Sequence, residues 1–223
     1  MVFERTIQLI GQEAFERLQQ KRVILFGVGG VGGWCAEALV RTGIRHLTIV
    51  DFDAVDETNL NRQVVATAQN IGQPKVMEMR QRLLSIIPDA DIIAINRQYN
   101  TETASQFDLS QYDYIIDAID MTDCKMLLLH EATKTRATVF SSMGAGRKLD
   151  PQQIRVAEFW KVNGCPLARA LRTKMKKSGL MPQKKFRCVY SPELRGDQGT
   201  LAPVVGTFGM TLASLVIQNA ISR

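Results

Sequence analysis

The sequence predicts an α/β fold: a Rossmann-like, mostly parallel sheet with helices on both faces, carrying antiparallel strands and a basic insertion in its C-terminal part. Short apolar runs rich in β-branched residues alternate with helix-length segments, the pattern of strands buried beneath helices. A glycine cluster, Gly27-Val28-Gly29-Gly30-Val31-Gly32, separates the first such run from the first long helical segment. No internal repeat or low-complexity segment interrupts the alternation, so residues 1–223 are expected to form one domain.

The elements follow in order. Residues 7–19 predict a helix ahead of the first strand, Arg22 to Phe26. Trp34 to Arg41 is helical, and Gly43 ends it as a glycine just past a helix does. His46 to Val50 is the second strand, closed by Asp51. Pro74 starts a helix with Val76, Met79, Leu83 and Ile86 on one face and Pro88 at its end. Asp91 to Ile95 and Tyr114 to Ile119 are isoleucine-rich strands, 122–134 a leucine-rich helix, and Thr138 to Ser141 another buried strand. Ile154 to Phe159 and Arg187 to Ser191 suit antiparallel edge strands flanking a basic loop. The uncharged stretch from Gly199 to Ser222 is long enough to span a bilayer. Its Gly206, Gly209, Ser214 and Asn219 favour a buried helix of about fifteen residues that packs through small side chains, so a membrane partner is not expected.

Charge is unevenly distributed. Of 28 lysines and arginines, nine fall in residues 161–190 with no acidic residue among them, leaving 19 against 22 acidic residues elsewhere. Such a block is an electrostatic footprint for a polyanion. Lys174, Lys176, Lys177, Lys184, Lys185 and Arg187 are its candidate RNA contacts, a solvated face being the alternative. The four cysteines never form a C-x-x-C pair, which argues against structural zinc and a disulfide framework and fits a cytoplasmic protein. The N-terminus has no charged-then-apolar pattern of a secretion signal.

The glycine cluster supplies a tight turn at Gly27, close backbone approach at Gly29 and helix–strand contact at Gly32, with Gly30 beside them. Asp51 stands 19 residues beyond Gly32, where a carboxylate holds ribose hydroxyls. These features predict nucleotide binding without separating NAD from ATP. The residues beyond them favour ATP. Nucleotidyl transfer needs cations on the phosphates and a carboxylate for Mg²⁺, because charge accumulates as pyrophosphate leaves. Arg62 and Lys75 offer the cations, and Asp120, after the fourth strand, offers the carboxylate. A hydride-transfer site needs none of the three.

The combined pattern G-x-G-G-x-G, D-x-D (Asp51, Asp53), N-x-x-R-Q (Asn59, Arg62), G-x-P-K (Lys75) and D-A-x-D (Asp120) resembles the adenylation domain shared by molybdopterin-, thiamine- and ubiquitin-activating enzymes. The resemblance implies that Asp51 binds ribose, that Asn59, Arg62 and Lys75 contact phosphates, and that Asp120 holds Mg²⁺. It also implies a homodimer in which Arg5, in Arg5-Thr6-Ile7-Gln8-Leu9, reaches the partner's ATP. Ser142-Met143-Gly144-Ala145-Gly146, Asp150-Pro151-Gln152-Gln153-Ile154 and Cys188-Val189-Tyr190-Ser191 resemble more narrowly the tRNA threonylcarbamoyladenosine dehydratases. These enzymes adenylate a threonyl carboxylate on tRNA, and a neighbouring carbamoyl group then closes a ring as AMP leaves. The expected partner is therefore tRNA carrying threonylcarbamoyladenosine, not DNA, with a sulfur-transfer helper protein a further possibility. Activation of a sulfur-carrier or ubiquitin-like protein is the alternative, and a nicotinamide oxidoreductase or nucleotide-binding adaptor a third. Cys188, following Lys184, Lys185 and Arg187, is a candidate reactive thiol if those charges are close in space, and a buried, inert cysteine otherwise. Cys165 carries no assignment.

Overall fold

A computed structural model describes residues 2–196 and 198–222. Its helices are α1 (Glu4–Ile10), α2 (Gln12–Gln19), α3 (Gly30–Thr42), α4 (Lys75–Ile86), α5 (Thr122–Ala132), α6 (Pro166–Ser178) and α7 (Ala202–Ile221). Its strands are β1 (Arg22–Phe26), β2 (His46–Asp51), β3 (Asp91–Asn96), β4 (Tyr114–Asp117), β5 (Thr138–Ser142), β6 (Arg155–Glu158) and β7 (Arg187–Tyr190). They form one sheet in the order β3-β2-β1-β4-β5-β7-β6, parallel throughout except for the β7–β6 pair.

The uninterrupted apolar run of β1 is explained by burial on both faces. Val23 and Leu25 join one core with α3, α4 and α7, whereas Ile24 and Phe26 join another with α5 and α6. The structure confirms the predicted α/β class and corrects several details. The helix expected over 7–19 is broken at Gly11, whose φ of 82° lies outside the helical region. The strand expected to reach Ile119 stops at Asp117, which frees residues 118–121 as a loop at the sheet's carboxyl edge. Of the two strands expected at the edge, only β6 is there; β7 pairs with β5 on its other side. The basic segment is not a loop around its centre: α6 turns Ala168, Leu171 and Met175 into the core and its lysines outward.

The uncharged stretch forms a 20-residue helix, longer than expected. By length and composition α7 could cross a membrane. In this fold it lies along α3, and a Cβ at Gly209 would stand 2.5 Å from the Val31 carbonyl oxygen. The contact by small residues is therefore backbone-close, as the sequence suggested.

Candidate active site

The glycine turn follows β1 directly. Gly27 has φ 87°, and a Cβ there would lie 2.7 Å from the Ala118 carbonyl oxygen; one at Gly32 would overlap the Gly27 carbonyl oxygen at 1.7 Å. Side chains are thus excluded on both sides of the turn, and the first backbone N–H groups of α3 open onto a cleft. The Asp51 carboxylate is held at its rim by the Val28 N–H (2.7 Å) and the Asp53 N–H (2.9 Å). Burial nevertheless raises its pKa, because desolvation outweighs these two bonds and the nearby Lys75 charge.

Lys75, only 5% exposed at the start of α4, places its ammonium 2.8 Å from Asp53 Oδ2. The Arg62 guanidinium donates to the Thr58 carbonyl (2.7 Å) and to Asn61 Oδ1 (2.9 Å). Gln63 is 7% exposed, and its Oε1 has no hydrogen-bond partner. It stands beside the space a Gly29 side chain would occupy and lines the cleft, so the glutamine of the N-x-x-R-Q motif belongs to the site, although no role for it is legible from the motif. Asp120 lies on the loop after β4.

That loop is anchored from below. The Lys125 ammonium, fully buried on α5, sits 2.7 Å from the fully buried Asp117 carboxylate and donates to the Ile119 carbonyl at 2.9 Å. Ser141 donates to Asp117 Oδ2 at 2.6 Å, and the Ile119 N–H to Oδ1 at 3.1 Å. A lysine on a helix usually reads as solvated, so no local sequence signal marked Lys125 as the tether of the Asp120 loop.

The cleft has a volume of about 280 Å³ and gathers Gly27, Gly29, Gly30, Asp51, Asp53, Arg62, Lys75 and Asp120. Phe52, Tyr99 and Met121 line it with apolar surface, and Ser142, Gly144, Leu167 and Thr200 also border it. Several expected residues stand elsewhere. Gly32 packs behind the turn. Asn59 is buried and accepts the Asp56 N–H (3.2 Å) in a reciprocal cap, so its side chain closes a helical turn and not the cleft. Arg5 is exposed on α1 and is not among the residues that line the cleft of its own chain.

Cys188 is fully buried on β7, and burial pushes its thiol well above the ordinary range. The expectation of a thiol activated by its basic neighbours fails, because strand neighbours alternate faces: Arg187 is exposed where Cys188 is buried. Lys184, moreover, donates to the Thr135 and Ala137 carbonyls. Lys174 pairs with Asp123. Lys176, Lys177, Lys185 and Arg187 remain exposed.

Residues 3–222 match the model of the ThiF family. The chain belongs to the ThiF family. It is 40% identical over 191 residues to the tRNA threonylcarbamoyladenosine dehydratase of Bacillus subtilis, covering 86% of this chain and 74% of that protein. To the Escherichia coli protein of the same name it is 34% identical over 196 residues, covering 86% and 73%. The solved structure of the E. coli tRNA N6-threonylcarbamoyladenosine dehydratase TcdA in complex with ATP superimposes with a TM-score of 0.92 at 31% identity, covering 99% of this ThiF-family chain and 94% of that one.

Proposed function

We propose that this protein uses ATP to adenylate the threonyl carboxylate of threonylcarbamoyladenosine in tRNA and then lets the ring close. The observation that carries this is the convergence of a glycine turn, a ribose-side carboxylate, two cations and a third carboxylate on one cleft, in a chain similar to tRNA-modifying dehydratases throughout. In the first step a carboxylate oxygen attacks the α-phosphorus and pyrophosphate leaves. In the second the neighbouring carbamoyl group attacks the acyl carbon, losing a proton as AMP departs with the carboxyl oxygen. No thiol relay is required, consistent with four buried cysteines.

Asp51, fixed by two backbone N–H groups, is oriented to accept from ribose hydroxyls. Lys75 and Arg62 are placed to neutralise charge on the leaving pyrophosphate. Mg²⁺, held by the nucleotide's phosphates and Asp120, would add charge neutralisation. The donor set fits: Asp120 brings a carboxylate to the cleft, and Mg²⁺ commonly takes one or two carboxylates with substrate phosphates.

The test is ATP-dependent pyrophosphate and AMP release with tRNA bearing the threonylcarbamoyl group, set against a sulfur-carrier protein. Turnover with the tRNA alone is expected. Turnover with the carrier alone overturns the proposal in favour of protein activation.

Arg5, exposed and outside its own cleft, suits a homodimer in which each subunit completes the other's site. Arg5→Ala and Asp120→Asn should each be inactive alone. Mixed, they should recover about half the wild-type activity per heterodimer, since one of the two composite sites keeps both residues. Subunit exchange without recovered activity would mean that Arg5 serves its own subunit or none.

A further inference from the structure

The basic segment spans two ends of the molecule. Lys184 is fastened to the carbonyls of Thr135 and Ala137, just ahead of β5, and hence at the sheet edge opposite the cleft. Lys185 and Arg187 follow it at the start of β7. α6 begins instead at the cleft, where Leu167 forms part of the wall, and is about 20 Å long.

Along α6 lies a second groove, of about 530 Å³, whose lining includes Cys165, Pro166, Arg169, Thr173, Lys177 and Leu194. Arg169, Thr173 and Lys177 recur every fourth residue and so share one helix face. Arg169 and Lys177 have no ion pair or side-chain hydrogen bond among the described residues, and no described carboxylate lines the groove. Lys174, also in the lining, is held by Asp123 through an exposed pair that contributes little and exchanges readily. Leu194, exposed on the lining, offers apolar surface to a sugar or base. The Cys165–Leu167 turn joins this groove to the cleft, with Cys165 and Pro166 lining one and Leu167 the other.

We propose that this groove holds the sugar–phosphate backbone of the RNA strand carrying the reacting nucleoside, with Arg169 and Lys177 each on a phosphate, while Lys184, Lys185 and Arg187 lie outside the path. The proposal rests on the tRNA reading given above and assigns its route. A strand on α6 delivers its nucleoside past Leu167 toward the phosphates, whereas one bound at the opposite sheet edge would have to cross the molecule's depth.

Two variants of equal charge change separate the routes: Arg169→Gln/Lys177→Gln and Lys185→Gln/Arg187→Gln. Both are measured by filter binding to bulk tRNA across a salt series, with ATP binding as the control for folding. The first pair should raise the dissociation constant at least about ten-fold and flatten the log–log salt slope by roughly 1.4, the value for two lost single-strand phosphate contacts. The second should stay within about two-fold of wild type. Equal losses in both pairs, or a larger loss in the second, overturn the groove while leaving tRNA as the substrate. Absence of tRNA binding by the wild type at low salt overturns the tRNA reading and the groove together.

Discussion

Lys75→Ala is expected to lower ATP–pyrophosphate exchange by about 10²-fold or more, the usual cost of removing one preorganised charge from a site where negative charge develops. The ammonium is already desolvated and aligned by Asp53 at 2.8 Å, so little reorganisation accompanies the reaction. Its removal does more than subtract a cation. Asp53 is left without its partner beside the cleft, and its charge would then oppose the phosphates. The double variant Lys75→Ala/Asp53→Asn should therefore recover part of the loss. Exchange by Lys75→Ala at near wild-type rates would remove Lys75 from the chemistry, and the same measurement on Arg62→Ala applies to the second cation.

Lys125→Met should destabilise the protein by about 3–5 kcal/mol, the range for breaking a buried ion pair from one side. Both partners are fully buried, and methionine leaves the Asp117 carboxylate with only the Ser141 hydroxyl and the Ile119 N–H. Lys125→Met/Asp117→Leu should regain much of the loss, because no uncompensated charge remains. Urea unfolding of the three proteins measures this. A single variant within about 1 kcal/mol of wild type would show that the carboxylate finds another partner or takes up a proton at small cost. Adenylation should fall as well, since the Ile119 carbonyl bond that steadies the Asp120 loop is lost.

What could be seen in the sequence was what short-range pattern encodes. Gly27 and Gly32 are required by steric contacts within one turn, Asp51 by the end of the next strand, and Lys75 by the start of a helix after a proline. Each is a local constraint with a fixed offset, and the structure brings all but Gly32 to the cleft. Residues whose surroundings come from distant segments were harder. Cys188 looked basic because its sequence neighbours are, yet a strand sends adjacent side chains to opposite faces. Asn59 looked like a phosphate ligand but is occupied by its own turn. Lys125 acquires its partner from β4, and Gln63 shows its unpaired oxygen only when the pocket is assembled. α6 buries Ala168, Leu171 and Met175 at helical spacing, but the density of lysines around them leads to the reading of a basic loop.

The packing of α7 against α3 has a consequence for how the protein is made. Val205 touches the position of Gly30 and lines the nucleotide cleft, although 175 residues separate the two. During synthesis the glycine turn leaves the ribosome long before the helix that closes over it. The nascent chain thus carries α3 with its apolar face uncovered until α7 emerges, and the wall of the cleft at Val205 is completed only then.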